Sequence, residues 1–207
     1  MLADRLRNES VMVKDVFISF RFKDGAKYKE KLAELLRGNE NTVDFSEDED
    51  RSDKSEETIQ KYLYAKLRRS SVTIIIVTPD AVEHHKNEFG EYDDWMYDEI
   101  RYSLEDRGNN RTNGLVAVYT PEAKGYLVKK GDDCRIVKQF DNIFRSNMMN
   151  IKDPYKHNPN FGLYNIDYDS YCSLISWDDF ISDIDKYIGI AADKRDNKEE
   201  YSIKKRL

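Results

Sequence analysis

Short apolar runs alternate with amphipathic stretches along the chain. Asp15-Val16-Phe17-Ile18-Ser19-Phe20 suits a buried strand, and Arg21 to Gly25 reads as a polar turn. Tyr28, Leu32, Leu35 and Leu36 then recur at helical spacing, with Gly38 placed to end that helix in a left-handed cap. Thr42-Val43-Asp44-Phe45 predicts a second strand. An acidic loop, Ser46 to Asp53, follows, and Asp53 with Glu56 forms a capping box for a helix carrying Ile59, Tyr62, Leu63 and Leu67. The β-branched run Val72 to Thr78 predicts a central strand covered on both faces and ended by Pro79. A polar loop reaches Asp93. Met96, Ile100 and Leu104 then mark the buried stripe of a helix stopping near Gly108, and Leu115 to Tyr119 follows as a strand.

From Pro121 to Tyr171 the periodicity fades into scattered Gly, Asn, Pro and Asp around short apolar pieces such as Ile136-Val137 and Ile143-Phe144, and no element is assigned. Order returns with a strand over Cys172 to Trp177. Next comes a helix capped by Asp178, with Phe180, Ile184, Tyr187, Ile188 and Ala191 on one face, and a polar tail from Asp193. Strand alternating with helix predicts an α/β fold with a doubly wound parallel sheet of about five strands, because right-handed crossovers place each helix on a face. Ligands of such sheets bind beyond the carboxyl ends of the strands, so the loops after Phe20, Phe45, Thr78 and Tyr119 are the place to look. The expected organisation is one domain over residues 14–192, with a core at 14–120, an elaboration at 121–192 and a tail at 193–207.

Charge narrows the function classes. Among 207 residues, 34 Lys and Arg face 40 Asp and Glu, a formal net charge of −6. With no basic stripe, a nucleic-acid partner is not expected. Met1 to Val13 has no apolar signal core, and Val72 to Val77 is too short to span a bilayer, so neither secretion nor a membrane is expected and a cytoplasmic protein is. Cys134 and Cys172 are far apart in sequence, and His84, His85 and His157 form no ligand spacing with them, so no metal is expected. The glycines form neither a dinucleotide fingerprint nor a P-loop, and no nucleophile elbow is present. A phospho-receiver needs acidic residues after the first strand and an Asp ending the third, where this chain has Arg21 and Thr78.

What remains is Asp93 to Ile100, in which Trp95 and Glu99 stand one helical turn apart and project side by side. An aromatic plane beside a carboxylate suits a flat cationic ring on a ribose: the ring stacks, and the carboxylate receives hydroxyls or stabilises an oxocarbenium ion. Nicotinamide riboside has that shape. On spacing alone, a core-edge aromatic beside a solvated carboxylate is the better fit.

Three blocks resemble a known family. Asp15 to Arg21 resembles the opening strand of TIR domains, Ser71 to Pro79 their central strand, and Trp95-Met96-Tyr97-Asp98-Glu99-Ile100 the segment on which NAD-cleaving members carry their glutamate. The resemblance covers roughly Lys14 to Tyr119 and implies the flavodoxin-like TIR fold. The region beyond Pro121, with Trp177-Asp178-Asp179-Phe180, is similar to the extended TIR-like proteins of bacterial Thoeris antiphage systems. The resemblance implies Glu99 as the catalytic carboxylate and Trp95 as a wall of the site. It places Phe17, Ser19, Phe20 and Arg21 under or beside the nicotinamide ribose, Asp24 at the entrance, and Asp44 and Ser46 at the border. Phe17 fits a purely buried role as well. The sequence departs from the family pattern at Asp94, where many of its enzymes have a small polar residue, and in an acidic loop short of Gly and Pro.

The resemblance thus implies cleavage of NAD⁺ at the nicotinamide–ribose bond to ADP-ribose or a cyclic isomer, with NAD⁺ as substrate and no cofactor. Further implied partners are a second copy of the chain, an effector activated by the nucleotide product, and a phage-derived trigger. A non-catalytic scaffold working through homotypic contacts, and a nucleoside-processing transferase of similar topology, stay open beside it.

Overall fold

The computed structural model describes residues 14–38, 42–44, 55–106, 108, 110–130, 135–137, 140–158 and 164–207. Its strands are β1 (Lys14–Ser19), β2 (Thr42–Asp44), β3 (Val72–Val77), β4 (Gly114–Tyr119), β5 (Val128–Lys130), β6 (Arg135–Val137) and β7 (Cys172–Ser176). Five of them form one parallel sheet in the order β2-β1-β3-β4-β7, and β5 and β6 make a separate antiparallel pair that the sequence pattern does not announce. The helices are α1 (Phe22–Arg37), α2 (Glu56–Arg69), α3 (Trp95–Leu104), α4 (Lys124–Leu127), α5 (Trp177–Ser182) and α6 (Ile184–Asp196).

Successive strand residues face opposite ways, and the two faces find different helices. Val16, Ile18, Ile74, Ile76, Val116 and Val118 pack with Leu32 and Leu36 of α1 and with Phe180 and Ile188 of α5 and α6. On the other face, Phe17 meets Leu63 and Leu67 of α2, while Ile75, Val77, Leu115 and Ala117 meet Met96, Ile100 and Leu104 of α3. The sheet is therefore covered on both sides, as its unbroken apolar strands require. Alternation from Phe17 also turns Ser19 toward the α2 and α3 face. The chain passes from β1 outward to β2 and then back across to β3, so the strand order reverses between β1 and β3, where α/β sheets open a crevice.

Several local expectations are corrected. The segment Arg21 to Gly25 is not a turn: α1 begins at Phe22, and Gly25 sits where an added Cβ would lie 3.3 Å from Phe20 Cβ, so the helix starts tight against the strand end. Gly38 ends α1 with φ −80°, a right-handed rather than left-handed conformation. The N-cap of α2 is Ser55, whose side chain accepts from Thr58 N, and the expected cap Asp53 lies outside the described residues. The helix α3 ends at Leu104, before Gly108. Trp177 opens α5 rather than closing β7, Ser176 rather than Asp178 is its cap, and Asp183 caps a second helix where one continuous helix was expected.

The region without periodicity packs by irregular structure. Ile143, Phe144, Met148, Ile151 and Tyr171 join the α3-side core from short turns and loops, too brief for a periodicity test. The expected polar tail is corrected too. The last helix runs to Asp196, Tyr201 is buried and bridges Ile151, and Asn147 donates to Lys204 O at 2.7 Å and accepts from Lys204 N at 2.9 Å. Among the described residues, no helix is long and apolar enough to cross a membrane.

Candidate functional site

At the carboxyl end of β1, Ser19 Oγ donates a 2.6 Å hydrogen bond to Glu99 Oε2. Ser19 is wholly buried, because the sheet's pleat turns it under α3. Glu99 lies in the second turn of α3. Its residue keeps some exposure, yet burial dominates at the carboxyl and pushes it up to about 8; the Ser19 bond and the Arg21 charge oppose this, and the Asp94 and Asp98 charges add to it. A carboxyl so placed ionises readily when a cation arrives beside it.

The α3 N-terminus is held by Asp94, whose Oδ1 accepts from Tyr97 N at 3.2 Å. Its Oδ2 accepts from His84 Nδ1 at 2.8 Å, from His85 N at 3.2 Å and from the Arg21 guanidinium, and the Asp94 side chain is fully enclosed. Burial alone would raise this carboxyl. The His84 hydrogen bond and the His84 and Arg21 charges outweigh it and hold Asp94 down at about 2. An ionised Asp94 only accepts, so His84 Nδ1 carries the hydrogen. Arg21 stands two residues beyond Ser19, and its Nε is buried without a hydrogen-bond partner.

The remaining candidates divide. Trp95, first residue of α3, is 39% exposed. With Tyr92, Asp94 and Asp98 and with Glu57 and Gln60 of α2, it lines a cleft of about 480 Å³. The described walls of that cleft do not include Glu99 or Ser19. Phe20 is half-buried, its ring centroid 4.9 Å from that of the exposed Phe22. Phe17 is 1% exposed and packs under α2, so the ring belongs to the core. Asp24 is tied to the loop after β3, accepting from Thr78 Oγ1 at 2.7 Å and from Asp80 N at 3.1 Å. Asp44 lies on β2 opposite Val16, but its side chain, and Ser46 altogether, lie outside what the structure describes.

The structure thus brings Ser19, Arg21, Asp94, Trp95 and Glu99 together at the reversal of strand order. Two participants are missing from the sequence reading. Asp94 stands where a helix N-cap belongs, which is a signal for a cap but not for its ion pair with Arg21. His84 reads as one of two histidines in a polar loop, yet its side chain is fully enclosed, with the Tyr97 ring edge-on at 5.0 Å. Nothing in its sequence neighbourhood signals that burial. A family model described as the TIR domain matches residues 16–141, from β1 through the segment after β6.

Proposed function

Because the chain belongs to the TIR domain family, we propose that it cleaves NAD⁺ at the nicotinamide–ribose bond, with Glu99 as the catalytic carboxylate. The observation that carries this reading is the Ser19–Glu99 contact of 2.6 Å at the crevice of the sheet, which holds a carboxyl of raised pKa where sheets of this kind take their ligands.

The cationic nicotinamide ring brings positive charge to the site, which favours the ionised form of Glu99. As the glycosidic bond lengthens, its electron pair goes to the nicotinamide nitrogen and nicotinamide leaves neutral. The oxocarbenium character left on the ribose is stabilised by the Glu99 carboxylate. Attack by water then gives ADP-ribose and one proton, while attack by an adenine or ribose atom of the same molecule closes a ring and gives a cyclic ADP-ribose, one water poorer than ADP-ribose. Arg21 has guanidinium N–H groups beyond the one given to Asp94, enough to bind substrate oxygens as well. Trp95 offers an aromatic wall. The reading extends to a cytoplasmic signalling enzyme of the Thoeris antiphage type, with a cyclic product that activates an effector, a phage-derived trigger, and activity gained on self-association. The resemblance around Trp177-Asp178-Asp179-Phe180 supports that extension.

Mass spectrometry of NAD⁺ incubated with concentrated protein tests the reading. Nicotinamide together with ADP-ribose or a cyclic ADP-ribose is expected, and both vanish in Glu99→Gln. Unchanged NAD⁺ under every condition, including lysate from phage-infected cells, contradicts it.

One observation favours the scaffold reading. Met149, Tyr155, Ile166 and Tyr168 of the elaboration are 44%, 49%, 44% and 41% exposed, apolar surface of the kind a homotypic contact covers. Light scattering of Tyr155→Ser with Tyr168→Ser separates the two: loss of self-association with NAD⁺ cleavage absent throughout favours the scaffold.

A further inference from the structure

The loop between β3 and α3 is fastened at both ends to parts of the molecule that do not touch each other in sequence. At one end, His84 Nδ1 and His85 N bond Asp94 Oδ2, which also holds Arg21. At the other, His84 N donates to Asp141 O at 2.9 Å, Tyr92 OH donates to Asp141 Oδ1 at 2.7 Å, Lys86 pairs with Asp141 Oδ2 at 2.7 Å, and Asn142 Nδ2 donates to Ala81 O at 3.2 Å. The Tyr92 and Tyr97 rings stack with centroids 4.4 Å apart, and His84 stands edge-on to both, so its imidazole has one place to be. The arrangement is a chain of contacts from Asp141 through His84 and Asp94 to Arg21.

From these contacts we propose that His84 is a positioning residue, holding Asp94 and through it the Arg21 guanidinium beside Glu99, and that Asp141 sets His84 in place. The catalytic part of this inference rests on the NAD⁺-cleaving reading above. Arg21 is a flexible side chain on the residue that precedes α1, and an ion pair with one rigid carboxylate fixes it only if that carboxylate is itself fixed. Among the described residues the Asp94 carboxylate has one further side-chain donor, the imidazole, whose 2.8 Å contact is shorter than the 3.2 Å of either backbone N–H and falls on the same oxygen that faces Arg21. Four contacts to residues 141 and 142 on the loop that bears this imidazole give those residues a task that the core alone does not explain.

The role predicts a particular kinetic signature. A guanidinium that binds substrate oxygens equally before and during bond cleavage contributes to affinity, not to the chemical step. His84→Ala should raise KM for NAD⁺ roughly tenfold, the equivalent of one charge-assisted hydrogen bond, and leave kcat within about twofold. His84→Asn keeps an amide N–H near the Nδ1 position and should restore most of the affinity. Asp141→Ala, outside the site, should reproduce a weaker form of the same KM effect. A residue serving stability alone would lower the melting temperature in all three without splitting KM from kcat and without rescue by Asn.

The test runs steady-state kinetics of the parent, His84→Ala, His84→Asn and Asp141→Ala in the full chain, alongside carboxyl ¹³C NMR titration of Asp94, which needs no turnover. Expected are the KM split with its rescue, and a rise in the Asp94 titration midpoint in His84→Ala that Asn partly reverses. A folded His84→Ala with unchanged KM, or with an unchanged Asp94 titration, overturns the inference. Absence of turnover in the parent overturns the NAD⁺ reading instead, and the NMR result then decides by itself whether His84 positions Asp94.

Discussion

Ser19 and Glu99 are eighty residues apart in sequence and joined by a hydrogen bond of 2.6 Å. The bond stabilises the charged carboxylate, while burial opposes it and wins, leaving Glu99 at about 8 instead of its ordinary 4.5. If the ionised form acts on the oxocarbenium charge that develops on the ribose, kcat/KM for NAD⁺ rises with pH and levels off above about 8. A profile of initial rates from pH 6 to 9.5 checks this. Ser19→Ala removes an influence that favours ionisation, so its profile should move toward alkaline pH.

The same raised pKa makes Glu99 a stability liability at alkaline pH. Between its unfolded value, near 4.5, and about 8 the folded protein binds the extra proton, so this contribution falls as pH rises through that window. Glu99→Gln should therefore melt with the parent below the window and be more stable above it, by on the order of 2 kcal/mol once partial exposure is allowed for. Thermal melts across pH 4 to 9 read the difference directly.

Asp94 runs the opposite way. Its folded pKa lies near 2, below the ordinary 3.8, so its contribution is present above 3.8 and is lost as pH falls through about 2. Asp94→Ala leaves the largely buried Arg21 without its carboxylate and α3 without its cap, and should cost about 3 kcal/mol in urea unfolding at neutral pH.

On the far side of the sheet, Gly114 opens β4 directly beneath α6. A Cβ there would stand 2.0 Å from Ala191 O, closer than any contact permits, so Gly114→Ala should push the helix away and destabilise the protein by about 2 kcal/mol or more. The position is far from Glu99, so NAD⁺ turnover per folded molecule should change little.

The parallel sheet and the helices over it were legible because β3 is β-branched along its length and α1, α2 and α3 keep a helical stripe. The placement of Trp95 and Glu99 on one helix was legible for the same reason, since α3 carries both. Contacts made through loops were not. His84 and Asp94 meet across ten residues of irregular chain, and Arg21 reaches Asp94 from the start of a different helix. The stretch from Pro121 to Tyr171 buries Ile143, Phe144 and Ile151 from short turns and loops, without the sustained repetition that marks an element. Gly38 and Asp178 stood where caps are common, but the chain used a right-handed Gly38 and Ser176 instead, because local geometry and not residue type decides between neighbouring cap candidates.

Glu99 carries the central claim, and the most direct measurement pairs binding with turnover for Glu99→Gln. Calorimetric titration of NAD⁺ and timed nicotinamide release are read on the same preparation at pH 8.5. The account predicts that the variant binds NAD⁺ with affinity close to the parent's and releases no nicotinamide. A folded variant that releases nicotinamide at the parental rate would contradict it.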